Sequence, residues 1–597
     1  MTVRARFDDH GAGTSFELSE PVSVFIAQRP DEVLPALRAA EHAAVEGNWV
    51  GGFVSYEAAP GLDPLLPARH WPSGHPLTGL PLAWFASYAR HRVINDDPPV
   101  AAAREHAPGP GWRLDRDAGW HARAVASAQE AIAAGDYYQL NLTTRLVGAV
   151  PDPDALYGEL ASAQSGRYHA LIETGDHTIV SASPELFFAT EDDLVVTRPM
   201  KGTATRGRWS ADDEQRAVAL RADVKERAEN VMITDLLRND LSRVAEVGSV
   251  RVPELFVAER YPTVWQLTSS VTARLRAEIG LTELFAALFP SGSVTGAPKL
   301  AAMTAIGELE GRPRGVYCGA IGYLRPCAKP GSGRPSARFS VAIRTATVCG
   351  GYAEYGTGGG ITASSRPDAE WAELLAKSQV LRRPEQPAEL FETLRYEPPG
   401  ALVNVEGHLA RLSASARYWG FPGGELATAR TSMLTACQGR GEPTRVRLAL
   451  KRSGAVDVTV ADMPAALDRP VRLAVADRPV HSGDALLFHK HGDRGRYDRF
   501  RRGGFDDVIL WNERCEATEI TIANLAVRLA GRWYTPPLES GLLPGVERAR
   551  LIEAGELTER VIPVHELAGA EELAVINSLR GWRSAELAQP ARVGGSW

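Results

Sequence analysis

An α+β chain of two or three domains is predicted by three observations. Its 597 residues are too many to pack around one hydrophobic core. β-Branched runs typical of strands alternate with stretches of helical spacing. Residues 384–387 form a short polar linker, after which the pattern starts again.

Totals narrow the function classes. With 44% hydrophobic and 23% charged residues, the composition is globular. Net charge is −7 and no basic block stands out, which argues against a nucleic-acid partner. The five cysteines (Cys318, Cys327, Cys349, Cys437, Cys515) are odd in number and lack metal-ligand spacing, so they read as reduced thiols of a cytoplasmic protein. Residues 1–9 lack the apolar core of a signal peptide, and no window approaches the roughly 20 apolar residues of a membrane span.

Taken in order, residues 22–26 read as a strand, 31–46 as a helix and 49–57 as a strand. Residues 94–112, rich in Pro, Ala and Gly, read as a loop. A helix over 120–134 stops at Gly135. In the strand 136–143, polar residues recur at every second position, which reads Gln139 and Asn141 as a solvent-facing edge. Residues 179–188 form a strand pair holding one carboxylate, Glu185. Buried there, Glu185 would suit a general acid; at an exposed strand end it would be ordinary.

Lys201 follows β-branched residues in a turn stiffened by Pro199 and opened by Gly202. Alone it is either a catalytic amine or a surface charge. The helix 223–244 carries Glu226 and Glu229 one turn apart, with an apolar stripe of Val231, Met232, Leu236 and Leu237 on its other side. Residues 289–299 are a loop of small and hydroxyl side chains, and Ala297-Pro298-Lys299 opens a helix. Strands over 315–323 and 339–347 flank a Pro/Gly-rich loop, 326–335. Residues 355–360 hold four glycines, leaving room for a flat ligand. The next helix puts Glu370, Glu373 and Lys377 on one face; with Glu229 its carboxylates suit one Mg²⁺, or else the helix is a salt-bridged surface.

The order of these motifs carries a resemblance. Tyr137-Tyr138-Gln139-Leu140-Asn141-Leu142, Ser183-Pro184-Glu185-Leu186-Phe187, Arg198-Pro199-Met200-Lys201-Gly202-Thr203, Lys225-Glu226-Arg227-Ala228-Glu229-Asn230, Gly292-Ser293-Val294-Thr295-Gly296-Ala297-Pro298-Lys299, Ala342-Ile343-Arg344-Thr345 and Glu370-Trp371-Ala372-Glu373 resemble the chorismate-utilising enzymes over residues 1–382. The family implies stacked antiparallel sheets with helices. It includes anthranilate, aminodeoxychorismate, isochorismate and salicylate synthases. Lys201 points to the aminodeoxychorismate group, because anthranilate enzymes carry Ala there. A lysine amine can add to the ring, expel the hydroxyl and be displaced by ammonia. Gln139 stands where water-using relatives have Lys. The resemblance further implies Glu185 as the acid that protonates the leaving hydroxyl. It assigns Glu229, Glu370 and Glu373 to Mg²⁺, Arg344 and Lys377 to substrate carboxylates, and Thr203, Thr295, Gly358 and Gly359 to the substrate. Gln266 departs from the pattern, since many relatives place His there.

Past the linker, Leu390-Phe391-Glu392-Thr393, His408-Leu409-Ala410-Arg411-Leu412, His489-Lys490-His491, Glu516-Ala517-Thr518-Glu519 and Ile576-Asn577-Ser578-Leu579 resemble fold-type IV pyridoxal-phosphate enzymes over 389–590. Read singly, Lys490 is a surface-loop lysine and Arg411 a helix charge. The resemblance implies a two-lobed α/β domain, as a rule dimeric. It makes Lys490 the covalent attachment point and Glu519 the partner of the pyridine nitrogen. Arg411, Ser578 and the backbone near Ile522 and Val546 would hold the phosphate, and Thr393 the substrate. The two halves together imply a folate-pathway enzyme: chorismate plus ammonia to aminodeoxychorismate, then to 4-aminobenzoate. Ammonia would come from a separate glutamine amidotransferase. The alternatives are an anthranilate synthase joined to an aminotransferase, or a synthase with a non-catalytic C-terminal scaffold.

Overall fold

The computed structural model describes residues 3–9, 13–94, 111–164, 166–327, 333–381 and 386–588. The chain divides into two compact units. One is Met1–Arg206 with Ala217–Pro384; the other is Gly207–Arg216 with Glu385–Trp597. Residues 207–216 therefore depart from the continuous 1–382 stretch expected from sequence.

In the first unit, two antiparallel sheets each have ten strands among the described residues. One sheet places Gln139–Ala149, Tyr352–Ile361, Thr345–Cys349, Thr178–Ser183, Tyr168–Thr174 and Val3–Asp9 side by side. The other runs through Met200–Thr205, Val264–Arg274, Leu194–Arg198, Leu186–Glu191, Ser336–Val341, Ala320–Arg325 and Trp49–Val54. Ala5, Phe7, Phe16 and Leu18 of the first sheet share one apolar cluster with Phe53, Trp84 and Ile321 of the second, so the sheets stack face to face. Helices Pro30–Val45, Val224–Ser242 and Leu281–Leu288 cover the second sheet around Leu37, Leu237, Phe285 and Phe339. Helix Pro153–Gln164 covers the first around Leu156, Leu160 and Val180.

Local chemistry sets the helix ends. Pro30 starts its helix where a missing N–H costs nothing, and Glu32 accepts from the amides of Gln28 and Arg29. Asp223 caps Val224–Ser242 by accepting from the Glu226 amide at 3.0 Å. Gly135, at φ 86°, stops Ala118–Ala134.

Several expectations change. Gln139 and Asn141 do not face solvent: they are 2% and 8% exposed, because Gln139–Ala149 is paired along most of its length with Tyr352–Ile361 and capped at its start by Gly296–Ala297. The strand expected over 315–323 begins only at Ala320. The one expected over 339–347 is two strands, Ser336–Val341 and Thr345–Cys349, in different sheets. Arg344 sits between them at φ 54°, a left-handed conformation that ends one strand and redirects the chain. The strand over 49–57 stops at Val54 and becomes a 3₁₀ turn at Tyr56–Ala58. Most of the loop expected over 94–112, and part of that over 326–335, lie outside the described residues.

The second unit has two lobes. A four-stranded antiparallel sheet (Ala401–Leu402, Glu389–Glu397, Thr444–Lys451, Val456–Asp462) is backed by helices Val405–Trp419 and Ala429–Ala436. A mixed eight-stranded sheet includes Val471–Val475, Asp507–Trp511, Ala517–Ile520, Asn524–Leu529, Glu572–Asn577 and Gly581–Leu587. Trp209 of the 207–216 segment packs on Phe488, their rings 5.1 Å apart, and Arg208 donates to the carbonyls of Ser482 and Glu539.

Candidate active sites

In the first unit, a cavity of about 120 Å³ opens where chain passes from one sheet to the other. Glu185 lies at one such passage, between Thr178–Ser183 and Leu186–Glu191, and Arg344 at another. Lys201 enters from Met200–Thr205. Its neighbour Gly202 has φ 100°, and a Cβ there would press on Leu267 at 3.0 Å, so glycine is required. Asn230, buried in Val224–Ser242, donates to Lys201 O at 3.0 Å and Leu267 O at 3.2 Å, which fixes the backbone under the lysine. Across the cavity stands Gly360. A Cβ on it would lie 2.5 Å from Lys201 Nζ, so any larger residue would make the amine shift. Behind the cavity, buried Arg314 is paired with Glu310 and donates to Val294 O and Asn141 O, both at 2.7 Å.

Glu185 is 3% exposed, and burial pushes its carboxyl up to about 7 despite a hydrogen bond from Ser293 and the Lys201 charge. Glu226, Glu229, Glu370 and Glu373 crowd the same cavity. Burial and the charges of Glu229 and Glu373 push Glu226 up to about 7. Glu373 is held below the usual carboxylate range by Lys377, 2.7 Å away. Among the described residues, no three His, Cys, Asp or Glu side chains converge as a ready-made metal nest. Lys377 also donates to Gly358 O at 2.9 Å, and Arg344 to Lys377 O at 2.6 Å.

Of the expected site residues, Lys201, Glu185, Thr203, Arg344, Gly358, Lys377, Glu229, Glu370 and Glu373 line this cavity. Gln139, Thr295 and Gly359 stand just outside the lining. Gln139 Oε1 is buried without a partner among the described residues, toward Gly360. Thr295 donates to Ser291 O, and Gly359 lies beside Glu370. Sequence reasoning left Glu226, Lys225 and Ser293 unassigned; the one-turn spacing of Glu226 and Glu229 was the available signal. Gln266 lines the cavity and accepts from Thr203 Oγ1 at 3.3 Å.

In the second unit, residues of both lobes enclose a cavity of about 470 Å³. Thr393, Arg411, Lys490, Glu519, Ile522, Val546 and Ser578, the expected residues, all line it. Lys490 follows the 3₁₀ turn Ala485–Phe488, and its Nζ stands 4.9 Å from the Phe391 ring centre. Loss of solvent, then the Arg411 charge, lowers its amine to about 8. Glu519, near the end of Ala517–Ile520, is pushed up to about 8 by burial; it accepts from the Leu543 amide at 3.2 Å and Asn524 at 3.3 Å. Arg411 projects from Val405–Trp419 and is gripped by Glu392 through two hydrogen bonds of 2.8 and 2.6 Å, with a third to Pro544 O. His408, one turn earlier, shares Glu392 at 2.7 Å. Glu392 was read only as part of a motif; its role as clamp is set by contacts that are distant in sequence.

Residues 8–383 match the chorismate binding enzyme family and residues 389–587 the class IV aminotransferase family. Aminodeoxychorismate synthase component 1 of Salmonella typhimurium is 42% identical over 252 residues, covering 42% of this chain and 54% of that protein. An anthranilate synthase component 1 of Halobacterium salinarum is 40% identical over 269 residues, covering 44% of this chain and 49% of that one. The solved anthranilate synthase component I of Streptococcus pneumoniae matches with TM-score 0.52 and 26% identity over 63% of this chain and 92% of that chain. The chain thus spans about half the length of these two curated relatives. The stacked sheets, the cavity at their crossings and the match over residues 8–383 identify the chain as a member of the chorismate binding enzyme family, continued by a class IV aminotransferase fold.

Proposed function

We propose that the chain makes 4-aminobenzoate in two steps, one in each unit. The observation that carries this reading is the amine of Lys201, set against Gly360 in the first cavity beside the buried acid Glu185. In the first step, Lys201 Nζ adds to chorismate at the ring carbon next to the carboxyl-bearing one. Glu185 protonates the hydroxyl at the far carbon, which leaves as water while the double bonds shift. Ammonia then attacks that carbon, and the lysine is released. Ammonia comes from glutamine through a separate amidotransferase.

The first cavity suits a divalent cation. Besides Glu185, four glutamates face it, and burial together with its neighbours' negative charge pushes Glu226 up. Glu229, Glu370 and Glu373 would hold Mg²⁺, which neutralises that charge and binds substrate oxygens.

The second cavity suits pyridoxal phosphate. Glu519, buried and facing the cavity, makes no ion pair among the described residues and is pushed up, as a carboxyl awaiting a protonated ring nitrogen would be. When bound, the cofactor supplies an electron sink at the carbon bearing the substrate's amine. Lys490 takes the proton from that carbon, the enolpyruvyl group departs, and the proton returns to its methylene carbon to give pyruvate. Arg411, Ser578 and the start of helix Val546–Glu553 line this cavity and would hold the phosphate.

Product analysis tests the whole reading. With chorismate, ammonium salt, Mg²⁺ and pyridoxal phosphate, wild type should yield 4-aminobenzoate, and Lys490→Ala should accumulate aminodeoxychorismate. Formation of 2-aminobenzoate by wild type would overturn the role given to Lys201.

A further inference from the structure

Beyond Arg411, given above to the phosphate, the proposed lyase chemistry leaves the arginines of the second cavity unexplained. Arg411, Arg445, Arg494, Arg580 and Arg583 all line it. Arg411 is occupied by Glu392 and Pro544 O. Arg494 donates to Thr521 O at 2.9 Å and lies over the Tyr497 ring. Arg580 uses one nitrogen, Nη2, on the carbonyls of Pro464 and Ala465. Arg583 makes no hydrogen bond or ion pair with any described residue.

The position of Arg583 sharpens the question. In strand Gly581–Leu587, Trp582, Ser584 and Glu586 are exposed, while the alternate face carries Ala585 and Leu587 into an apolar cluster. Arg583 belongs to that inward face. A guanidinium in such a place without a counter-charge is costly unless a ligand supplies one. Its neighbours do so only in part. Arg580 repels it, and this repulsion adds to burial in lowering its pKa. The nearby acids, Asp507 and Asp506, pull the other way without outweighing this; Asp507 spends Oδ1 on the amides of Val508 and Thr521, and Asp506 is shared with Arg469 and the Arg472 amide.

Arg445, on the four-stranded sheet of the other lobe, is likewise without a hydrogen bond or ion pair among the described residues. Unpaired positive charge therefore reaches the cavity from both lobes. We infer that Arg583, beside Arg580, binds one carboxylate of the substrate and that Arg445 meets a second, so that the cavity selects a dicarboxylate over a monocarboxylate. This deepens the proposed lyase reading, whose substrate carries two carboxylates, on the ring and on the enolpyruvyl arm. A branched-chain or other monocarboxylate amino acid would leave one cation unsatisfied.

The test uses the full-length, cofactor-loaded protein and two unreactive probes, isophthalate and benzoate. Isophthalate places its carboxylates in the 1,3 relation of the substrate's two acidic arms. Binding is read from the shift in the bound cofactor's absorbance, which reports this cavity alone. Wild type should bind isophthalate about tenfold or more tightly than benzoate. Arg583→Gln should lose that preference while taking up cofactor normally, and Arg583→Lys should recover part of it. An Arg583→Gln variant that still prefers isophthalate overturns the inference. So does one that instead fails to retain cofactor, because the arginine would then serve the phosphate. Wild type that prefers isophthalate yet converts no aminodeoxychorismate removes the lyase reading and leaves the carboxylate pair standing.

Discussion

Replacing Lys201 by Ala removes the amine and leaves its glycine-lined wall intact, so folding should be unaffected while aminodeoxychorismate formation collapses, as followed by chromatography of the products. Glu185 makes a separate, pH-dependent prediction. It must carry a proton to act as an acid, and burial places its titration near 7. Synthase turnover should therefore fall as pH rises through about 7. Glu185→Gln should lower the rate by about 10²–10⁴-fold and flatten that limb; a variant retaining the same limb would assign it to another group. At Lys490 the sign is opposite, because the neutral amine is the reactive form. Cofactor capture by cofactor-free protein should quicken about tenfold per unit below pH 8 and level off above it, seen as the rate of absorbance change. That these three residues, all of which line the two cavities, stand in motifs was legible in the sequence. The burial of Gln139 and Asn141 was not, since a polar residue at every second position looks the same whether it faces water or a cavity.

Two helices concentrate the charge chemistry at the scale of elements. Val224–Ser242 and Pro367–Ser378 bring their glutamates to one cavity, and periodicity alone placed those residues on common faces. Which elements they meet could not be read that way, because it depends on strands that change sheets at Glu185 and Arg344. Glu373→Gln should raise the Mg²⁺ concentration needed for half-maximal synthase activity by about tenfold or more, with the lyase step unchanged. In helix Val405–Trp419, Arg411 and His408 reach back to Glu392. Burial alone would raise that carboxyl, but Arg411 and His408 outweigh it and hold it at about 2. A depressed value means that its contribution to stability is present above the usual carboxylate range and is lost as pH falls toward 2. Acid unfolding of the second unit should therefore steepen below about pH 4 in wild type. In Glu392→Gln that component should be missing, and stability at pH 7 should be lower by about 3 kcal/mol. Chemical denaturation at several pH values measures both.

For the whole molecule, the two chemistries should separate cleanly: Lys201→Ala supplied with aminodeoxychorismate should form 4-aminobenzoate at the wild-type rate. The division near residue 384 was visible as a linker in the sequence, yet the assignment of Gly207–Arg216 to the second unit was not. Nothing in Trp209 or Arg208 announces a partner hundreds of residues away; only the Phe488 ring and the Ser482 and Glu539 carbonyls reveal it. That segment makes the second unit discontinuous in the gene. A fragment cut at the linker would begin life with a bare apolar patch where Trp209 should sit, and a ribosome would release the patch's cover long before the surface it protects. The protein is thus poorly suited to being split into two freestanding units, even though the two proposed reactions fall in different units, and exchanging one half for that of a relative would require carrying this short insert along.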